Sequence, residues 1–267
     1  MTGGPTGTAG GARRLADRGR TVPRSRAVVV DHSPIDDDLC ILRLAPERPL
    51  SFSPGQYVTV GVTTADGTSV ERPYSIVSSP SSPILELFVE RVAGGQASEP
   101  LCDLRPGGTV ALRERCKGLL LNGCDLGAPR TFVATATGIA PFVSFVRAAA
   151  RGDIPVGPTG RVLLLHGARR SARLGYAEEL ASLDRRHEWL TYVPVVSRRA
   201  EDAGWPGEFG RVEDILRKHT DAGDFVRGAG ASAHLCGNPT SVDLVRRVLL
   251  RVGLEGDRIA TEQFWMA

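Results

Sequence analysis

The 267-residue chain has no long apolar run, no CxxC pair and little net charge. Its hydrophobic pieces are short, such as Val162-Leu163-Leu164-Leu165, far below the roughly 20 residues of a membrane-spanning helix, so no membrane span is expected. A formal net charge of +3, from 33 basic and 30 acidic residues, is too small for the footprint of a nucleic-acid binder. No aromatic residues are interleaved with basic runs, so a base-stacking surface is not expected either. The five cysteines, Cys40, Cys102, Cys116, Cys124 and Cys236, are scattered. Zinc sites and iron–sulfur clusters require tight spacings, so no metal is expected, and an odd count suits a reducing, cytoplasmic compartment. What the chain does have is 42% hydrophobic and 24% charged residues, enough for real cores and incompatible with disorder of the whole chain.

Residues 1–25 are rich in Gly, Thr, Ala and Arg without apolar periodicity and are expected to be a flexible leader. They lack the apolar stretch of a secretory signal, while the Arg-rich, acid-poor start leaves an organelle transit peptide as a lesser alternative. From residue 26 to 127, short β-like runs (27–30, 38–44, 57–62, 73–77, 84–92 and 109–113) alternate with Gly and Pro turns, the pattern of a small antiparallel barrel or sandwich. From 128 to 267 the texture changes. Strand-like 131–135, 161–166, 190–196 and 234–236 alternate with helix-like 141–150, 176–183, 212–218 and 241–252. Such alternation predicts βαβ units and a parallel sheet. The expected fold is therefore a β domain followed by an α/β domain.

Three stretches carry chemistry. Glu71-Arg72-Pro73-Tyr74-Ser75-Ile76-Val77-Ser78-Ser79 places a guanidinium, a phenol and a hydroxyl together on an extended segment. That suits a grip on a flat, phosphorylated cofactor; a surface strand with an exposed arginine suits the same residues. Thr135-Ala136-Thr137-Gly138-Ile139-Ala140-Pro141 is a turn of small residues between a strand and a helix, where backbone N–H groups can hold a dinucleotide pyrophosphate. It lacks the GxGxxG pattern, and a plain βα turn fits it too. Gly94-Gly95-Gln96-Ala97-Ser98 is a second candidate anion loop, with Ser98 opening a short helix, or else a hairpin loop.

Arg72-Pro73-Tyr74-Ser75, Gly95-Gln96-Ala97-Ser98, Thr137-Gly138-Ile139-Ala140-Pro141 and Cys236-Gly237-Asn238-Pro239, in this order and at these separations, resemble the ferredoxin–NADP reductase family from about residue 26 to the end. The closing Glu262-Gln263-Phe264-Trp265 is similar to the end of its bacterial ferredoxin/flavodoxin-dependent members. The resemblance implies an N-terminal antiparallel β-barrel holding FAD and a C-terminal parallel-sheet α/β domain holding NADP. It assigns Arg72 to the FAD pyrophosphate, Tyr74 to stacking on the isoalloxazine and Ser75 to a hydrogen bond near flavin N5. Gly95, Gln96, Ala97 and Ser98 form the second pyrophosphate contact. Thr137 and Gly138 cradle the NADP pyrophosphate, and Arg169, Ser197 and Arg198 meet the 2′-phosphate. Cys236 and Glu262 lie beside the nicotinamide path, with Trp265 as an aromatic cover over the flavin. Ala136 departs from the glycine common in the family at that place, which puts dinucleotide affinity in question.

The implied activity is hydride transfer between NADP(H) and FAD, with single electrons passed to ferredoxin or flavodoxin by a monomer. The alternatives are the reductase component of an oxygenase, a free-flavin or ferric reductase, or a flavin-binding subunit without turnover.

Overall fold

The computed structural model describes residues 24–64, 66–222, 225–226 and 228–264. Strands β1 (Arg24–Asp36), β2 (Leu39–Pro46), β3 (Tyr57–Thr63), β4 (Ser69–Ser75), β5 (Leu85–Glu90) and β6 (Thr109–Arg113) form one antiparallel sheet in the order β4-β3-β6-β1-β2-β5. A bridge from Ile76, just past β4, to Leu87 of β5 brings the two edges together, curling the sheet into a barrel. Alternate residues face inward, as in Val58, Val60 and Val62 of β3 or Val110 and Leu112 of β6, because side chains on a strand change face at every residue. Helix α1 (Ser98–Asp103) contributes Leu101 to that core.

β1 and β4 differ most from their expected limits. β1 starts at Arg24, where it pairs with Arg113 of β6, and continues along β2 to Asp36 through register shifts at Val29/Asp31 and Pro34/Asp36. Such shifts bend a strand and hide its alternation. β4 starts at Ser69 and ends at Ser75, so the four site residues lie at its far end.

The second sheet is parallel, built from β7 (Arg130–Thr135), β8 (Val162–Ala168), β9 (Leu190–Val196), β10 (Glu208–Phe209), β11 (Ser232–Gly237) and β12 (Ile259–Gln263), with helices α2 (Ala140–Ala150), α3 (Ala177–Arg186), α4 (Val212–Ala222) and α5 (Pro239–Arg251). Its order is β10-β9-β8-β7-β11-β12. The chain thus runs outward from β7 on one side and returns to the other side of β7 at β11, and in open α/β sheets the crevice at such a reversal is where ligands bind.

The barrel and the parallel sheet share polar contacts. Ser144 Oγ of α2 donates to the Ser78 carbonyl at 2.7 Å, and Arg147 of α2 donates to the Val77 carbonyl at 3.2 Å and to Glu86 of β5 at 2.9 Å. Among the described residues no helix is long and apolar enough to cross a membrane.

Candidate functional site

β4 pairs Arg72, Pro73, Tyr74 and Ser75 with Val60, Thr59, Val58 and Tyr57 of β3. Pro73 fits because β4 lies at the end of the sheet order, where a missing N–H costs no ladder bond on the open side. Arg72 and Pro73 are exposed, Tyr74 packs partly buried on the barrel core, and Ser75 is buried. Neighbouring Arg24 and Arg113 both engage Glu71, at 2.7 and 2.5 Å. Arg72 instead donates to the Glu71 backbone carbonyl at 2.9 Å and has no carboxylate partner among the described residues. It is thus a cation free to meet an anion. Burial raises the Tyr74 phenol above its ordinary pKa, keeping the ring neutral.

The glycine loop is held by a tight set of hydrogen bonds. Gly95 N–H donates to the Val92 carbonyl at 2.8 Å, and Ser98 Oγ accepts from Val92 N–H at 3.1 Å. A Cβ on Gly95 would fall 2.3 Å from Ser98 Oγ and 2.7 Å from the Val92 oxygen, so only glycine closes this turn. Glu99 takes the Gly94 N–H at 2.9 Å. The successive amides of Gln96, Ala97 and Ser98 meet no protein acceptor among the described residues, and consecutive free N–H groups form a nest for phosphate oxygens. The loop fits a pyrophosphate.

The crevice between β7 and β11 is assembled from two interlocking turns. After Thr135 the chain makes a short 3-10 turn, Ala136–Ile139, into α2. Gly138 is pressed on the end of β11: a Cβ there would lie 2.3 Å from the Cys236 carbonyl oxygen. Gly237, at φ +138°, returns the approach, and a Cβ on it would lie 2.1 Å from Thr135 Oγ1. Thr135 Oγ1 also accepts from Asn238 N–H at 2.9 Å, while the Asn238 side chain caps α5 through Thr240 N–H at 3.0 Å. Ala136 holds φ +50°, in the left-handed region that costs a residue with a Cβ about 1–2 kcal/mol. The turn expected from the sequence therefore forms with alanine in place of glycine, under strain.

The barrel and the crevice meet at Ser75. Its Oγ donates to Glu262 Oε1 at 3.4 Å, and β12 pairs Glu262 directly with Cys236 of β11. Burial foremost, then the Glu262 charge, pushes the Cys236 thiol well above its usual pKa; it is a neutral packing thiol at this junction, not a thiolate nucleophile. Burial also raises the Glu262 carboxyl above the ordinary value of 4.5, with the Ser75 bond partly opposing it. A carboxyl with a raised folded pKa contributes full stability below its unfolded pKa and loses that contribution as pH rises through the folded value. Glu262→Gln should accordingly match the parent near about pH 4 and be more stable near about pH 7, in denaturant titrations at the two values. A pH-independent difference would contradict the desolvation of Glu262. Phe264 N–H donates to the Gly237 carbonyl at 3.0 Å; Trp265, the expected aromatic cover, lies outside the described residues.

Where β8 and β9 end, Ser197 and Arg198 donate their amides to the Ala168 and Arg169 carbonyls, each at 3.0 Å, bringing Arg169, Ser197 and Arg198 side by side. Ser197 Oγ also donates to the Ala168 carbonyl at 3.3 Å. A residue not singled out in the sequence enters here: Glu201 pairs with Arg198 at 2.9 Å and with Arg170 at 4.0 Å. Its signal was the i, i+3 spacing from Arg198. Arg173 turns away to Asp36 and Glu90 of the barrel at 3.3 and 2.7 Å, and Arg199 covers the Phe209 ring at 4.9 Å.

A barrel whose glycine turn leaves successive amides unpaired, joined to a parallel sheet with a reversal crevice, offers two places for phosphorylated cofactors. Two family models match in the same order, "Oxidoreductase FAD-binding domain" over residues 26–117 and "Oxidoreductase NAD-binding domain" over 132–247. The chain is 34% identical over 206 residues to ferredoxin–NADP reductase B of Sorangium cellulosum, covering 76% of this chain and 81% of that protein. It is 30% identical over 239 residues to the ferredoxin–NAD(P)(+) reductase component of the naphthalene 1,2-dioxygenase system of Pseudomonas putida, covering 89% of this chain and 68% of that one. Its fold matches a Neisseria gonorrhoeae ferredoxin NADP+ reductase solved with FAD and NADP at a TM-score of 0.74 and 21% identity, over 91% of this chain and 99% of that one. The chain belongs to the ferredoxin/flavodoxin–NADP reductase family, and it is an FAD- and NAD(P)-binding oxidoreductase.

Proposed function

We propose that this chain is a ferredoxin/flavodoxin–NADP reductase, moving hydride between NADP(H) and FAD and single electrons between FAD and a small protein carrier in the cytoplasm. The observation that carries it is the Ser75–Glu262 contact, which joins the strand end bearing Arg72 and Tyr74 to the crevice at β11. Bound FAD supplies the step between two-electron and one-electron chemistry that no side chain offers. Arg72 and the amides of Gln96, Ala97 and Ser98 hold its pyrophosphate, and Tyr74 offers a neutral ring for stacking. Thr137 and Gly138 receive the second pyrophosphate. Ser75 Oγ and Glu262 Oε1 form a hydrogen-bonded pair that can hold a proton beside the reacting rings, with Trp265 as the cover and Cys236 as the neutral wall. In this reading residues 26–127 hold FAD, residues 128–267 hold NADP, and the chain acts as a monomer on ferredoxin or flavodoxin.

One observation favours a second reading, the reductase component of an oxygenase system that accepts NADH. Glu201 occupies Arg198 and Arg170, where a 2′-phosphate would otherwise find its donors. Anaerobic titration of the purified protein, followed by flavin absorbance, tests both. Bleaching by NADPH at lower concentration than by NADH supports the first reading; the reverse order supports the second. Glu201→Gln should shift the preference toward NADPH in either case. Failure of both nucleotides to bleach the flavin would remove the hydride role altogether.

A further inference from the structure

The mechanism makes no use of Cys40 and Cys102. Cys40 lies on β2 and Cys102 on α1, 62 positions apart in sequence, yet their sulfurs are 3.4 Å apart in the barrel core. Both are nearly closed to solvent, at 2% and 6% exposure, whereas Cys116, Cys124 and Cys236 are separate free thiols elsewhere. The two are not equivalent. Cys40 Sγ–H donates to Cys102 Sγ, and that bond, with Arg91 nearby, lowers the Cys102 pKa while raising that of Cys40. Burial opposes the lowering at Cys102, but the 3.4 Å contact places Cys102 to react first and Cys40 to react with it afterwards.

The helix that carries Cys102 is the one that opens at Ser98. Ser98 and Cys102 are one helical turn apart, so they share a face of α1, and Ser98 Oγ closes the Gly95 turn on Val92. A tether at Cys102 restrains the loop whose free amides form the phosphate nest.

We infer that Cys40 and Cys102 are a peroxide-responsive dithiol that closes to a disulfide, stapling α1 to β2 and clamping the Gly95–Ser98 loop. The Cys102 thiolate attacks hydrogen peroxide: an S–O bond forms, the O–O bond breaks, and hydroxide leaves and is protonated to water. The Cys40 sulfur then attacks the sulfenic sulfur of Cys102: the S–S bond forms, the S–O bond breaks, and the second hydroxide leaves as water with the Cys40 proton. Two thiols are oxidised and one peroxide is reduced to two waters. Closure from 3.4 Å to a disulfide length of about 2.05 Å needs a shift of about 1.4 Å, which local opening of the six-residue α1 would supply. Such opening also admits peroxide. The staple itself is independent of the proposed function; its effect on the loop rests on that loop holding FAD.

In the test, the FAD-loaded full chain is treated with hydrogen peroxide, alkylated, and digested without reduction. Mass spectrometry should find one cross-linked peptide pair joining Cys40 to Cys102, two hydrogens lighter than the separate peptides, with Cys116, Cys124 and Cys236 alkylated. In Cys40→Ser the sulfenic acid on Cys102 should persist and take dimedone, while the parent protein takes none there. FAD release under mild denaturant should be several-fold slower after cross-linking and return to its original rate with dithiothreitol. Recovery of Cys40 and Cys102 both alkylated after peroxide overturns the dithiol. A cross-link that leaves FAD release unchanged overturns the clamp on the loop, while the FAD content of the untreated protein reports separately on whether the chain holds the flavin.

Discussion

Arg147→Ala is expected to lower the unfolding free energy by about 3–5 kcal/mol, the usual loss when one partner of a buried ion pair is removed. Arg147 forks onto Glu179 of α3 at 2.7 and 2.8 Å, reaches Glu86 of β5 at 2.9 Å and lies 5.3 Å over the Tyr176 ring. Burial works against its charge, but the Glu179 and Glu86 carboxylates outweigh it and the guanidinium pKa is raised. Glu86 is only 6% exposed, so truncation leaves a buried carboxylate whose remaining ion-pair partner among the described residues is Arg43, at 2.7 Å. Because the cluster joins the barrel to the parallel sheet, the variant should also separate their unfolding, with flavin release and far-ultraviolet circular dichroism ceasing to coincide in a urea titration. Arg147→Lys keeps the charge without the fork and should lose less. A loss below about 1 kcal/mol, the range of exposed pairs, would mean that the cluster is solvent-screened.

The second large effect belongs to Gly138→Ala. The three atoms nearest the new methyl would all be backbone, the Cys236 oxygen at 2.3 Å, the Cys236 carbonyl carbon at 2.6 Å and Gly237 Cα at 2.9 Å. Backbone cannot move aside as a flexible side chain can, so the turn must lift from β11 at a cost of about 1–3 kcal/mol. Dinucleotide affinity should fall about tenfold or more, since a displacement that costs about 1.4 kcal/mol of binding already does so, while the barrel keeps its flavin. Flavin content measured beside an NADPH titration separates the two. Unchanged affinity would show that this turn does not carry the pyrophosphate.

Much of the barrel was legible because its strands alternate: Val58, Val60 and Val62 announce β3 without help from any other segment. The sheet strand β8 was legible for the opposite reason, since a strand covered on both faces reads as a continuous apolar run, here Val162 to Leu165. β12 was not, because Ile-Ala-Thr-Glu-Gln at a sheet edge buries only Ile259, and two-residue β10 is below any periodicity. The site residues were visible as motifs, but their state was not. Nothing local in the sequence says that Arg24 and Arg113 are consumed by Glu71 while Arg72 is left open, or that Arg147 finds Glu86 and Glu179, which are 61 and 32 positions away. Ion pairing across such separations is decided by packing alone. Ala136 was visible as a departure; its left-handed backbone explains why glycine is the easier residue there.

The reversal of strand order bears on how the molecule comes into being. The barrel is complete once β6 has emerged, and its β1–β2 and β3–β4 pairings join strands consecutive in the chain. The crevice is another matter: β7 must wait for β11, its partner across roughly a hundred residues of intervening chain, and such distant pairings form slowly. During synthesis the barrel can fold first, while β7 offers an uncovered edge until β11, Ser232–Gly237, arrives. The nascent protein is most open to edge pairing with other chains in that interval.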